Sequence, residues 1–251
     1  LMSAQFFLST GDSGFSDIMG GFEEGIHGIR IPCDQTGSVG ATVLIAGDAG
    51  TGKTTLANQL VVGTLLHNSN VLTQSTNGEA FWPRSARAVI FTLDQRPNEV
   101  LELLTRLDHK NRLLKGIFNR SKETGRKIPF QQSEIRAALE KCDILVVKLP
   151  YDSGMRALAQ DIQTFVDVED ASFHVKLLVI DSVNVAMREL AKRESPPDEV
   201  LRDFRHVLGY PRDSTVDLPP EKRFSTIVTF ELDPNEPFVE GYLPQCVIQL
   251  G

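Results

Sequence analysis

One short stretch of the sequence combines small, positively charged and hydroxyl-bearing residues in an order that suits phosphate binding. It matches the pattern G-x-x-x-x-G-K-[ST] at every fixed position. With the threonine that follows, it consists of Gly47, Asp48, Ala49, Gly50, Thr51, Gly52, Lys53, Thr54 and Thr55. Glycines let the backbone curl until successive N–H groups converge on one anion, and a helix beginning near Lys53 directs its positive dipole end to the same point. The stretch therefore predicts a loop that binds the phosphates of a nucleoside triphosphate.

Three side chains of this stretch have separate expected tasks. Lys53 carries a point charge that can reach the β- and γ-phosphates. The hydroxyl of Thr54 is a hard oxygen ligand for Mg²⁺, and we expect Thr55 to donate a hydrogen bond to the α-phosphate. The alternative is a glycine-rich turn that contains Lys-Thr by chance. The strand-like pattern before the loop and the helical pattern after it favour phosphate binding over that alternative.

An aspartate follows a second apolar run. Residues 177–180 are Leu-Leu-Val-Ile, and Asp181 comes directly after them. An apolar strand that ends in a carboxylate is the Walker B pattern. Mg²⁺ binds hard oxygen atoms and keeps several water molecules, so that Asp181, directly or through water, would suffice beside Thr54 and the phosphates. The alternative is that Asp181 caps the segment that follows it.

The elements that must position these residues alternate between strand-like and helix-like periodicity. Strands are predicted at 39–46, 88–93, 144–148, 176–180, 224–230 and 246–250, and helices at 54–66, 97–108, 155–166 and 197–208. Residues 67–87 and 109–132 are predicted to be irregular. This alternation predicts an α/β fold with a mostly parallel central sheet flanked by helices. Ligands of such sheets bind at the carboxyl ends of the strands, where both the glycine-rich loop and Asp181 fall.

Composition narrows the class of protein. The chain has 251 residues and a net charge of −7, with 26 basic and 33 acidic residues, which disfavours a dedicated duplex-DNA binder. The basic stretch at 106–127 is more typical of a solvated loop than of a nucleic-acid contact. No apolar run is long enough for a bilayer and no secretory signal is recognisable, so we expect no membrane association and a cytoplasmic location. Cys33, Cys142 and Cys246 lack metal or redox spacing and predict free thiols in a reducing compartment.

The chain as a whole resembles the KaiC-like branch of the RecA superfamily. The resemblance rests on the glycine-rich opening from Ser9 to Phe22, the glycine-rich loop, the strand before Asp94-Gln95, the strand before Asp181, the helical stretch that includes 201–204, and the later strands at 226–231 and 246–250. It implies a RecA-like fold, ATP and Mg²⁺ as ligands, ATP hydrolysis, and self-assembly into a ring or filament with nucleotide near the subunit boundary. It also implies that Asp94 is the base that orients the attacking water, while the glycine-rich loop with its catalytic Lys53 and Mg²⁺ neutralise the phosphates. Residues 39–251 would form the ATPase core, and 1–38 would pack on it.

The sequence departs from this family in three places. Asp94-Gln95 stands where the family usually has two glutamates. Aspartate is one methylene shorter, and a misplacement of about 1 Å can cost on the order of 100-fold in rate, so slow hydrolysis or none is expected. Asp94 could instead be a helix-capping or turn residue before Pro97. Residues 26–38 look like an insertion. The hairpin that, in relatives, follows the last strand and gives Lys or Arg to a neighbouring subunit is either absent or lies beyond Gly251.

These patterns predict a P-loop ATPase that couples ATP binding and slow hydrolysis to self-assembly or to a protein signalling partner. Two other functions stay open. Asp94-Gln95 motivates a nucleotide-gated scaffold or signalling module with little turnover. A recombinase- or helicase-like DNA motor is disfavoured by the acidic net charge. Glu231, at the end of a predicted strand, is either a sensor of the γ-phosphate or an ordinary edge carboxylate.

Overall fold

A computed structural model describes residues 6–11, 28–31, 33–34, 37–38, 41–71, 86–118, 130–149, 154–168, 172–185, 224–232 and 246–251. In chain order the elements are β1 (Phe6–Leu8), β2 (Ile29–Ile31), β3 (Cys33–Asp34), β4 (Gly37–Ser38), β5 (Thr42–Gly47), α1 (Lys53–Val71), β6 (Ala86–Thr92), α2 (Pro97–Leu107), β7 (Lys115–Phe118), α3 (Gln132–Leu139), β8 (Ile144–Lys148), α4 (Gly154–Val166), β9 (His174–Asp181), β10 (Ser225–Glu231) and β11 (Cys246–Leu250). Among these helices, none combines the length and the apolar character that crossing a bilayer requires.

Seven of the strands form one parallel sheet in the order β11-β5-β10-β9-β6-β8-β7. Strand β5 is buried along its whole length, and β9 along all but its first residue. Continuous burial of this kind is typical of parallel strands that are covered on both faces. The predicted α/β fold with a parallel sheet flanked by helices is therefore confirmed. Because β10 lies between β5 and β9, the segments that follow β5 and β9 lie close together, on either side of the end of β10.

Two apolar clusters, one on each face of the sheet, hold the helices. Alternate residues of a strand point to opposite faces. In β9, Leu177 and Val179 pack in the cluster that contains the buried residues of α1 and α2. Leu178 and Ile180 pack in the other cluster, with the buried residues of α3 and α4. The sheet is thus a middle layer with two described helices on each face.

The N-terminal segment contacts α1. Strand β1 pairs antiparallel with β2, and the chain after β1 crosses the helix at Gly63. The N–H of Ser9 donates to Oγ1 of Thr64 at 2.9 Å. A Cβ added to Gly63 would lie 2.2 Å from the carbonyl oxygen of Ser9, so only glycine allows this approach. The sequence insertion at 26–38 contributes β2, β3 and β4, which stay outside the seven-stranded sheet.

Several predicted elements need correction. Helix α1 continues to Val71, so the first part of the predicted loop 67–87 is helical; the four residues after 66 are polar, and the apolar period does not reveal the last turn. Strand β7 lies inside the stretch predicted to be irregular because, at the sheet edge, its residues are only half-buried and show no strong pattern. Helix α3 was missed because it is short and has only two buried positions. The predicted helix 197–208 lies outside the described residues.

Asp108 and Lys115 form an ion pair that ties the end of α2 to β7. The Nζ of Lys115 lies 2.8 Å from Oδ2 of Asp108, and the side chains are 8% and 0% exposed, respectively. The N–H groups of Arg112 and Leu113 also donate to this carboxylate. Burial acts to raise the pKa of Asp108, but the hydrogen bonds and the lysine charge outweigh it, and the pKa lies below its ordinary value.

Replacing Asp108 with asparagine should lower the free energy of unfolding by about 3–5 kcal/mol at neutral pH, because it leaves the ammonium of Lys115 buried without a partner charge. Since the folded-state pKa is the lower one, this stabilisation is fully present above the unfolded pKa of about 3.9 and is lost as the pH falls through the folded pKa. Urea unfolding across this pH range measures both effects.

The control for Asp108→Asn is Glu102→Gln. Glu102 and Arg106 form a pair on the surface of α2, with side chains 72% and 78% exposed. Such a pair contributes about 0–1 kcal/mol. Equal losses in the free energy of unfolding for Asp108→Asn and Glu102→Gln would show that the buried ion pair contributes no more to stability than the exposed one.

Candidate functional site

The loop between β5 and α1 has the glycine conformations that a tight anion-binding turn needs. Gly50 and Gly52 have φ angles of +79° and +88°, which residues with a Cβ rarely adopt. Thr51 closes the turn, since its N–H and its hydroxyl donate to the carbonyl of Asp48 at 3.3 and 2.8 Å. Asp48 and Ala49 are exposed, as are both of these glycines. The loop therefore presents its backbone to solvent.

Gly47 has a different task from the one predicted. Its φ is not in the left-handed region. A Cβ at this position would lie 2.5 Å from the carbonyl oxygen of Leu250 and 2.8 Å from Oγ1 of Thr51. Gly47 therefore allows β11 and the loop to approach each other, whereas the curl of the backbone depends on Gly50 and Gly52.

Lys53 begins α1 and is buried against the loop. Its Nζ donates to the carbonyl oxygens of Gly47 and Asp48, at 2.9 and 2.5 Å. The first helical hydrogen bond runs from the N–H of Leu56 to the carbonyl of Gly52, at 2.9 Å. Thr55 is exposed in the same turn of helix. The ammonium and the amino end of α1 thus lie at one loop, as phosphate binding requires.

Thr54 and Asp181 are in contact. The hydroxyl of Thr54 donates to the carboxylate of Asp181, with 3.1 Å to Oδ1 and 3.0 Å to Oδ2. Thr229, in the intervening strand β10, donates its hydroxyl to Oδ1 at 2.5 Å. Among the described residues, the hydrogen bonds to this carboxylate come from α1 and β10, and none comes from residues 182–185, which directly follow β9.

The environment of Asp181 makes its carboxylate harder to ionise than a carboxylate in water. Burial raises the pKa of Asp181, and the charge of Asp94 acts in the same direction. Hydrogen bonds from Thr229 and Thr54 and the charge of Lys53 act to lower the pKa but do not outweigh burial. A bound cation would favour the ionised form of this carboxylate. The buried carboxylate is therefore suited to a positively charged ligand.

Asp94 lies in the turn that follows β6. Thr92, the last residue of β6, is the register partner of Asp181, and the N–H of Leu93 donates to the carbonyl of Asp181 at 2.7 Å. Asp94 is exposed, and its charge acts on Asp181, so the two carboxylates share one region. Asp94 is thus a turn residue before Pro97, as the alternative interpretation allowed, but it does not cap α2: the N-cap is Arg96, whose N–H donates to the carboxylate of Glu99.

Glu231 ends β10 in register with Gly47. Asn184 binds its backbone twice: the Asn184 amide donates to the carbonyl of Glu231 at 2.7 Å and accepts from its N–H at 2.6 Å. Asn184 is buried, and it fixes the end of β10 to the segment after Asp181. Neither Asn184 nor Thr229 was predicted from the sequence to belong to the site. Their only signal is a polar residue within or just after an apolar strand.

Lys148, at the end of β8, was also missed. Its Nζ donates to the carbonyl oxygens of Leu93, Asp94 and Gln95, at 2.8, 3.0 and 3.1 Å. Burial lowers the pKa of Lys148, and the charges of Asp94 and Glu99 act to raise it. This lysine therefore belongs to the structure of the Asp94 turn.

The oxygen ligands at this edge fit Mg²⁺ only if phosphate is also present. Within the described part of the chain, no group of three or more His, Cys, Asp or Glu could enclose a metal ion. The hydroxyl of Thr54 and the carboxylate of Asp181 supply two adjacent oxygen ligands. Mg²⁺ commonly takes one or two protein ligands and completes its shell with water and phosphate oxygens. The donor set therefore suits a metal bound with a nucleotide.

Comparison with known proteins leaves the family open. The sequence matches no protein-family model, and it has no significant match among curated proteins. The class of protein must therefore be inferred from the parallel sheet, the glycine-rich loop and the side chains around Asp181.

Proposed function

We propose that the chain is a RecA-like P-loop NTPase of the KaiC type, which binds ATP with Mg²⁺ and hydrolyses it slowly. One observation carries the proposal: the hydroxyl of Thr54 lies 3.0 and 3.1 Å from the carboxylate oxygens of Asp181. The two residues are 127 positions apart in sequence and belong to independent motifs. Their contact at the carboxyl edge of a parallel sheet is the arrangement that a site for Mg²⁺ and phosphate needs.

Each residue of the site has a task in this proposal. The loop amides and the amino end of α1 bind the phosphates. The ammonium of Lys53 exchanges its hydrogen bonds to the loop carbonyls for hydrogen bonds to the β- and γ-phosphate oxygens. Thr54 and Asp181 would hold Mg²⁺, which would neutralise charge on the phosphates. Asp94 orients the attacking water and accepts its proton. Thr229 fixes the carboxylate of Asp181 toward Thr54.

The position of Asp94 supports slow turnover. The described residues supply no hydrogen bond to its exposed carboxylate, so this side chain is free to orient a water molecule. Its side chain is one methylene shorter than glutamate, which places the base short of the best position. The same observation favours a second function, a nucleotide-gated scaffold that binds ATP and scarcely hydrolyses it.

Phosphate release by Asp94 variants distinguishes the two functions. For an ATPase, Asp94→Asn should lower kcat by about 100-fold or more with unchanged Mg-ATP affinity, because it removes the base. Asp94→Glu should raise kcat, because it restores the missing methylene. If the wild-type chain binds Mg-ATP, and its phosphate release is no higher than that of Asp94→Asn, the chain is a scaffold.

We propose cytoplasmic self-assembly on the resemblance to KaiC-like proteins. The free thiols of Cys142 and Cys246 support a reducing compartment. Burial raises the pKa of Cys142 to about 11, which keeps it in the unreactive thiol form. Sedimentation with and without Mg-ATP tests assembly, and a monomer under both conditions would contradict it.

A further inference from the structure

The turn that carries Asp94 is fixed from two sides. On the side of β8, the carbonyl oxygens of Leu93, Asp94 and Gln95 converge on the Nζ of Lys148, at 2.8, 3.0 and 3.1 Å. An ammonium has three N–H donors, so these three carbonyls occupy all of them. Three consecutive carbonyls directed at one cation define the backbone path of the turn.

On the side of β9, the same turn contacts the strand that ends at Asp181. The N–H of Leu93 donates to the carbonyl of Asp181 at 2.7 Å. The hydroxyl of Thr92 donates to the carbonyl of Gln95 at 2.9 Å and closes the turn on itself. The turn is therefore clamped between Lys148 and the strand of the proposed metal ligand.

We propose that Lys148 is a positioning residue for ATP hydrolysis, which holds the Asp94 turn so that its carboxylate stays beside the metal site. This inference rests on the proposed function. Because the donors of Lys148 are taken by the backbone of the turn, the residue acts through Asp94 and not on the nucleotide. Its removal should therefore slow the chemical step and leave Mg-ATP binding unchanged.

The charges around the turn agree with this role. Lys148 is half-buried, and the three carbonyls and the nearby carboxylates of Asp94 and Glu99 offset only part of the cost of desolvating its ammonium, so that its pKa lies below the ordinary value. Asp94 also acts electrostatically on Asp181. Strand β6, which leads into the Asp94 turn, lies between β8 and β9. Lys148 and Asp181, at the ends of these two strands, therefore lie on opposite sides of the turn.

The first test is a pair of substitutions at Lys148. Lys148→Met keeps the length of the side chain and removes its donors, and should lower kcat by about 10- to 100-fold without changing KM or the Mg-ATP dissociation constant. Lys148→Arg keeps charge and donors and should retain most of the activity. Lys141→Met is the control, because Lys141 is exposed. If Lys148→Met is unfolded, Lys148→Gln, which retains an amide donor, replaces it.

The second test separates positioning from general structural support. In an Asp94→Asn background, measured by single-turnover hydrolysis, Lys148→Met should cause no further loss, because the group that it positions is already inactive. An equal loss in both backgrounds, or a Lys148→Met variant with wild-type kcat, would overturn the inference. A wild type that binds Mg-ATP without turnover would also overturn it, whereas a folded wild type that does not bind Mg-ATP would refute the proposed function itself.

Discussion

Alanine in place of Lys53 should weaken Mg-ATP binding by about 30-fold or more and remove measurable turnover. The Lys53 ammonium is buried at the loop, where the carbonyls of Gly47 and Asp48 hold it ready for an anion. Truncating one member of a buried charged contact costs about 2–5 kcal/mol, and each 1.4 kcal/mol is about tenfold in affinity. Calorimetric titration with Mg-ATP measures the loss.

The control for Lys53→Ala is Lys141→Ala, because Lys141 is an exposed lysine outside the proposed site. Thermal unfolding of both variants shows whether the loop remains folded after two of its carbonyls lose their donor. Wild-type affinity for Mg-ATP in a folded Lys53→Ala variant would mean that the glycine-rich loop is not the phosphate site.

Asparagine in place of Asp181 should remove the dependence of ATP binding on Mg²⁺. The substitution keeps the shape of the side chain and an oxygen acceptor for Thr54 and Thr229, but it removes the negative charge that Mg²⁺ prefers. We expect affinity in Mg²⁺ to fall by about tenfold or more, on the order of the losses seen when a metal site is weakened. Affinity in EDTA should stay constant or rise, because a negative charge near the phosphates is gone.

Thr229→Val separates the charge of Asp181 from its orientation. Valine has the shape of threonine and lacks the hydroxyl that donates to Oδ1 of Asp181. The Mg²⁺ concentration needed for half-maximal ATP binding should therefore rise, by less than in Asp181→Asn. An Asp181→Asn variant that keeps wild-type dependence on Mg²⁺ would remove Asp181 from the proposed metal site.

The sheet strands and the glycine-rich loop could be predicted because each is a local pattern. Strand β8 has the predicted bounds, and so does β11, since both are compact apolar runs with clear ends. The loop was predicted from residue types alone, although Gly47 serves packing against Leu250, a contact 203 positions along the chain from it that no local pattern reveals.

The side chains that support the site depend on strand order, which the apolar periods do not specify. Thr229 reaches Asp181 only because β10 lies between β5 and β9. Lys148 reaches the Asp94 turn only because β8 is the neighbour of β6. A sequence pattern predicts that a residue lies at a strand end, but not which other strand end is adjacent to it.

Strand β7, inside the stretch 109–132 that was predicted to be irregular, and helix α3 after it have local patterns too weak to predict. Among the described strands, β7 pairs only with β8, and its half-buried residues form no continuous apolar run. Helix α3 buries only Ile135 and Leu139, one turn apart, which is too little periodicity to separate a helix from a polar loop. Edge elements of this kind are determined by the sheet that they complete.

Calorimetric titration of the wild-type chain with ATP, in Mg²⁺ and in EDTA, tests the central claim most directly. If Thr54 and Asp181 hold a metal beside the phosphates bound at Lys53, ATP should bind in Mg²⁺ and bind at least about tenfold more weakly in EDTA. A folded chain that binds no ATP, or that binds it equally in both buffers, would contradict the claim.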